Sequence, residues 1–175
     1  MQAKVSALES KSRIMEDKLL DLETRSRLNN LRLVGLLEGA EGEDPCSFLE
    51  KWIPEALNLL ARGSTVNIER AHRVGPAREA SAPPRTLIMK FLGYREKQVV
   101  LTAAKANKDI QYKGQQVKFY PDLATGIHQL RKQFDPVRRE LRNRGIRHGL
   151  IHQARLLVTY KYRSHVFKTA VEGLY

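Results

Sequence analysis

The stretch LRLVGLL, Leu31 to Leu37, decides the fold. Four leucines and a valine around a single charge read as a buried strand. An acidic, glycine-containing loop follows, and Asp44-Pro45 then supplies an N-cap with proline at the first helical position. Phe48, Leu49, Trp52, Ile53, Ala56, Leu57 and Leu60 fall at helical spacing, with Pro54 expected to kink or split the helix. Val66 to Arg73 and Thr86 to Leu92 (TLIMKFL) are the next strands, separated by the loop GPAREASAPP, Gly75 to Pro84. Arg95 to Ala106 returns to helical spacing, with Val99, Val100, Ala103 and Ala104 inward. A Lys113-Gly114 turn then leads into a last strand, Gln116 to Tyr120.

The order strand, helix, strand, strand, helix, strand is that of the split ferredoxin-like unit used by RNA-recognition modules. Alternation puts Arg32, Val34 and Leu36 on one face of the first strand, with Thr86, Ile88 and Lys90 on the third. RNA-recognition strands usually present aromatics there. Charges at Arg32 and Lys90 instead imply contact with a nucleic-acid backbone more than base stacking.

Upstream, residues 1–30 contain no Gly or Pro. A 3-4 spacing selects Met1, Val5, Leu8, Ser12, Met15, Leu19, Leu22 and Ser26, a heptad seam flanked by Lys4, Glu9, Lys11, Glu16, Lys18 and Glu23. A lone helix would leave this narrow stripe in water, and a stripe so narrow suits a coiled coil better than a helix laid on its own domain. Met1, Val5, Leu8, Met15, Leu19 and Leu22 are therefore the expected oligomerisation residues. The two serines weaken the seam, and leucine at a with methionine at d leaves the strand number undetermined.

Downstream, Asp122 is expected to cap a helix that reaches Arg144, kinked at Pro136 and stopped by Gly145. Ile146 to Leu150 and Ala154 to Lys161 look strand-like, and Ser164 is expected to cap a final helix through Val166, Phe167, Ala170 and Val171. Between His128 and Gly149, Arg131, Lys132, Arg138, Arg139, Arg142, Arg144 and Arg147 face only Asp135 and Glu140. Such repulsion at i,i+3 and i,i+4 is tolerated most readily against phosphates, whose displaced counterions favour binding.

The net charge of +12 is concentrated at the end: residues 123–175 carry +8 of it. That balance points to nucleic acid first and to an anionic membrane second. The single Cys46 can neither close an internal disulfide nor nominate a zinc site, so a reducing compartment is expected. No run of 18 apolar residues and no secretory signal are visible, which leads to the expectation of a soluble intracellular protein without a membrane span. Gly35, Gly39 and Gly42 miss the dinucleotide-binding spacing, and Glu38, Glu41, Glu43 and Asp44 would repel a pyrophosphate. No Walker A, nucleophile-elbow or HExxH pattern occurs. His148 and His152 stand at i,i+4 but beside Gly149 in a strand-like stretch, a poor metal pair. Aromatics interleave with cations at Lys118 to Tyr120, Arg131 to Phe134 and Tyr160 to Arg163. Phe119 and Tyr160 are expected to turn inward, leaving Tyr162 as the stacking candidate.

Asn30-Leu-Arg-Leu-Val-Gly35 after a coiled coil, Ala103-Ala104-Lys105, Lys113-Gly114, Leu130-Arg131-Lys132 and Ala154-Arg155-Leu156 together resemble the first-open-reading-frame protein of LINE retrotransposons, over nearly the whole chain. The resemblance implies a parallel homotrimeric coiled coil, an RNA-recognition domain and a C-terminal domain that clamp single-stranded RNA. It also implies a nucleic-acid chaperone that coats its own transcript. By position it points to Asn30 and Arg32, Arg78 and Arg85, Lys90, Lys105 and Lys108, Arg131 and Lys132, and Arg155. Two family runs differ here, reading Lys105-Ala-Asn-Lys108 and His152-Gln-Ala-Arg155. The second has lost its aromatic while the cations remain.

The expected architecture is α+β: a coiled coil over residues 1–29, an RRM-like ferredoxin domain over 30–121 and a small basic α+β domain over 122–175. The expected function is non-catalytic binding of single-stranded RNA and DNA, sequence-tolerant, by a homotrimer in a cytoplasmic ribonucleoprotein, with the nucleus also open. Arg138, Arg139, Arg142 and Tyr162 join the residues above as binding candidates, and no cofactor or small-molecule substrate is expected. The rival reading is a coiled-coil adaptor whose basic end docks on anionic membrane or acidic protein. An enzyme acting on nucleic acid is disfavoured, because the basic segment shows no metal-binding carboxylate cluster.

Overall fold

A computed structural model describes residues 1–151 and 154–170. The chain divides into two compact units, residues 27–122 and residues 1–26 with 123–175.

In the first unit, β1 (Asn30–Val34) leads to α2 (Pro45–Ala56), the 3-10 turn Leu60–Arg62, β2 (Ile68–Arg73) and β3 (Leu87–Phe91). Then come α3 (Tyr94–Ala106), the short hairpin β4 (Gln111–Tyr112) and β5 (Gln115–Gln116), and β6 (Lys118–Pro121). The sheet order is β2-β3-β1-β6, with all neighbours antiparallel. Period-two alternation sends Leu31, Leu33, Leu87, Met89, Phe91 and Phe119 to one side, where they meet Leu49 and Ile53 of α2 and Val100 of α3 in a single core. Trp52 stacks on Phe119 at 6.1 Å and meets Tyr112 edge-on at 6.0 Å, so α2 is also sealed against the hairpin.

Local chemistry explains the boundaries. The Asp44 carboxylate accepts from the Ser47 N–H at 3.2 Å, as the cap reading required, with proline in the first turn. The helix continues through Pro54 but ends at Ala56, and Leu60 is exposed beyond it, one turn past the point where the helical spacing stops mattering. Gly35 has φ +94°, and a Cβ there would lie 2.6 Å from the Gln116 carbonyl oxygen, so only glycine fits the exit of β1. That turn redirects the chain and buries Leu36, which alternation alone had placed on the outer face with Arg32. On α3 the inward residues include Val100 and Leu101, while Val99 is exposed and Lys97 is buried.

In the second unit, α1 (Gln2–Ser26) is one continuous helix. It is joined by α4 (Thr125–Lys132), α5 (Asp135–Asn143) and the antiparallel meander β7 (Arg147–Ile151), β8 (Arg155–Tyr160) and β9 (Arg163–Phe167). Phe134, Val137 and Leu156 form its small core. Four expectations are corrected here. The basic run is two helices, because Pro136 starts α5 rather than kinking a longer one. Asp122 caps neither, since Ala124 holds the N-cap position of α4. The expected final helix is a strand: Lys161 and Tyr162 take φ of +46° and +66°, a two-residue hairpin turn that folds Arg163–Phe167 back onto β8. Val171, also assigned to that helix, lies outside the described residues. Tyr160, expected inward, is 54% exposed.

Candidate nucleic-acid interface

The face of the sheet away from α2 and α3 is built by register. One row crosses all four strands, His72 opposite Ile88, Ile88 opposite Arg32, and Arg32 opposite Tyr120. The next row sets Arg70 opposite Lys90 and Lys90 opposite Asn30. Asn30, Arg32 and Lys90 therefore share one face.

Their partners define what each can do. Asp122, with its carboxylate 2% exposed, accepts from Arg32 Nε at 2.7 Å, from Asn30 Nδ2 at 3.0 Å and from Arg27 Nη1 at 3.2 Å. Burial pushes its carboxyl pKa up, but these hydrogen bonds and the charges of Arg32 and Arg27 outweigh that and leave it lowered. Asn30 Oδ1 is buried without a partner. Arg32 keeps its side chain about one-third exposed beyond this anchor, and Lys90 Nζ pairs with Glu69 at 3.3 Å.

Arg85 is differently placed. Its guanidinium forks onto Glu38 at 3.0 and 3.1 Å and donates to the Gly75 carbonyl at 2.9 Å. The side-chain and backbone hydrogen bonds from Arg85 hold the Glu38 carboxyl down to about 2. Beside it Arg73, buried, forks onto Glu41 and donates to the carbonyls of Leu36, Leu37 and Arg85. The acidic loop is thus a pair of arginine clamps. Arg78 lies exposed on the loop between them, and Lys105 and Lys108 are exposed at and after the end of α3.

In the other unit, Arg131 is half-buried at the end of α4, and burial followed by the charge of Arg138 lowers its pKa. Arg138 reaches Asp135 only at 3.6 Å, and its Nε is buried without a partner. Arg144 takes up Glu140 at 2.7 Å. Lys132, Arg139 and Arg142 remain exposed. Arg155 lines a cleft of about 630 Å³ with Asp17, Asp21 and Lys168. Tyr162 is fully exposed at the β8–β9 turn, whereas Phe134, in the aromatic-cation run from Arg131, is core. His148 Nδ1 lies 2.9 Å from the Ile146 carbonyl, and His152 lies outside the described residues. Among the described residues no cluster could hold a metal ion, and no helix is long and apolar enough to cross a membrane.

The seam residues Met1, Val5, Leu8, Met15, Leu19 and Leu22 are all exposed, between 53% and 105%. Leu20, off the seam, packs at Gly126 of α4 instead, where an added Cβ would meet its Cδ1 at 2.9 Å. Sequence reasoning gave Asp122 only a capping role and passed over Arg27 and Arg73, although the partners of these residues lie as much as 95 positions away. It also passed over Tyr120, although the inward placing of Phe119 already implied an outward neighbour.

No family model matches the chain. It is 27% identical over 153 residues to the LINE-1 type transposase domain-containing protein 1 of Mus musculus, covering 87% of this chain and 20% of that protein. The Homo sapiens protein of the same name is 26% identical over 150 residues, 84% of this chain and 17% of that protein. The LINE-1 retrotransposable element ORF1 protein of Mus musculus is 23% identical over 159 residues, 89% of this chain and 44% of that protein. The chain spans a fifth or less of the length of the first two relatives and under half of the third. These similarities support a retrotransposon-related, ORF1-like LINE protein.

Proposed function

We propose that the chain is a non-catalytic, sequence-tolerant binder of single-stranded RNA and DNA. It assembles through α1 as a homotrimer and packages retrotransposon RNA in a cytoplasmic ribonucleoprotein with chaperone activity. The observation that carries this reading is the charge of α4 and α5. Asp135 and Glu140, the carboxylates of that stretch, already face Arg138 and Arg144, so Lys132, Arg139 and Arg142 present cations with no paired acid among the described residues. Phosphates supply the missing charge, and backbone contacts exchange fast enough for strands to anneal and melt. The sheet order β2-β3-β1-β6 with two helices on one face is consistent with an RNA-recognition module. The exposed seam of α1 supports self-association, which raises three modest sites to avid binding through effective concentration.

The test is fluorescence anisotropy with a labelled single-stranded RNA and its duplex, each across a salt series. Salt-steep binding that favours the single strand is expected. Equal, weak binding to both would reduce the basic surface to a general polyanion contact and favour the adaptor reading.

A further inference from the structure

The outer face of the β2-β3-β1-β6 sheet combines two properties that are seldom useful together. Its exposed apolar surface is concentrated at β1 and β6, where Tyr120 is 47% and Val34 38% exposed. Cations surround it. Arg32 is directly across from Tyr120, close enough for side chains to touch, and Lys118 lies two residues along β6 on the same face and directly across from Val34. The carboxylates bonded to this face are already engaged, Asp122 by Arg27, Asn30 and Arg32, and Glu69 by Lys90. The site therefore attracts a ligand with flat apolar surfaces joined by anionic links. A single strand of nucleic acid is such a ligand, because every base has a face to stack on and each is tethered by phosphate.

We propose that Tyr120 is a base-stacking residue, holding one unpaired base on the sheet while Arg32 and Lys118 contact the flanking phosphates. The inference rests on the single-strand reading above and adds a base-recognising site to it. The ring is carried by the edge strand β6. On the central strands the positions facing it in the row, Arg32 and Ile88, hold no aromatic, and His72 ends the row on β2. Arg32 is well suited to stand beside the ring. Its Nε bond to the buried Asp122 carboxylate at 2.7 Å fixes the guanidinium on the face instead of leaving it to swing in water.

The experiment compares an oligothymidylate with an oligomer of abasic deoxyribose phosphates of equal length. Both carry the same phosphates, and only the first can stack. The full chain should favour the oligothymidylate by about ten-fold or more, the size of one stacked base. Tyr120→Ala should lose most of that preference with its salt slope unchanged, and Tyr120→Phe, which keeps the ring, should retain it. Circular dichroism and thermal melting establish that both variants fold. A Tyr120→Ala protein that kept the preference, or that lost affinity for both oligomers equally, would overturn the stacking role. Salt-steep binding of both oligomers by the unaltered chain without preference would leave the phosphate reading standing and remove this site. Failure to bind either would remove both.

Discussion

Arg32 Nε donates to Asp122 Oδ1 at 2.7 Å, joining the middle of β1 to the residue just after β6. Asn30 and Arg27 converge on the same carboxylate. The acid ties the start of the sheet to its far edge and sets the orientation of the two polar residues that open β1.

Removing it should be costly. Asp122→Ala strands the Arg27 and Arg32 guanidiniums beside a vacated, buried position. Both arginines keep about a third of their surface in water, so the expected loss is about 2 kcal/mol rather than the larger penalty of a fully buried pair. Urea denaturation measures it, and a change within the scatter of surface substitutions would show that the hub contributes nothing.

The arginine clamps give the fold an acid limb. Glu38, at about 2, and Glu41 and Asp122, all lowered, bind fewer protons folded than unfolded near pH 3 to 4. Their stabilisation is therefore present above the ordinary carboxylate range and fades as pH falls toward 2. Glu38→Gln should lower the urea midpoint modestly at pH 6 and converge on the unaltered protein as pH approaches 2. A gap that stayed constant with pH would remove the ion pair as its cause.

Arg131 and Lys132 end α4 with no acid paired to either among the described residues. Replacing both with alanine should weaken binding to single-stranded RNA and flatten the salt dependence by roughly 0.7 for each phosphate that is no longer neutralised. Anisotropy across a salt series reads both quantities. Weaker binding at an unaltered slope would mean that these side chains do not touch phosphate.

The exposed α1 seam predicts its own disruption. Leu8→Asp with Leu22→Asp puts charge at two apolar seam positions that are 65% and 62% exposed, so the separate chain should tolerate them. Sedimentation equilibrium should show the mass falling toward that of one chain. An unchanged mass would place any self-association elsewhere.

The core of Phe134, Val137 and Leu156 is small, and Phe134 is 2% exposed. Phe134→Ala should cost about 3 to 5 kcal/mol and unfold β7, β8 and β9 together, while β1 and β3 keep their slow amide exchange. Hydrogen exchange followed strand by strand would show whether the two sheets open separately. Equal loss of protection in both would make the two units one cooperative structure.

Much of the fold was legible in local pattern. Leu31 to Leu37 signalled β1, Asp44-Pro45 the start of α2 and Gly145 the stop of α5, because alternation, capping and left-handed turns act over a few residues. Helical spacing misread Val166 and Phe167, where two residues at positive φ closed a hairpin that no glycine announced. Of the candidate site, the concentration of cations between Arg131 and Arg147 was visible as composition. Which cations have acids was not.

By itself, the sequence determined the main elements between Asn30 and Pro121 and their order, the heptad stripe, and the sign and place of the charge. The tertiary structure decided the rest. It turned Asp122 from an expected helix cap into the anchor of Arg32, committed Arg85 to Glu38, and lined up His72, Ile88, Arg32 and Tyr120 across four strands. Periodicity and capping depend on neighbours along the chain, whereas a side chain's partners depend on strand register and the turns that flank it, which bring together residues such as Arg32 and Asp122, 90 positions apart.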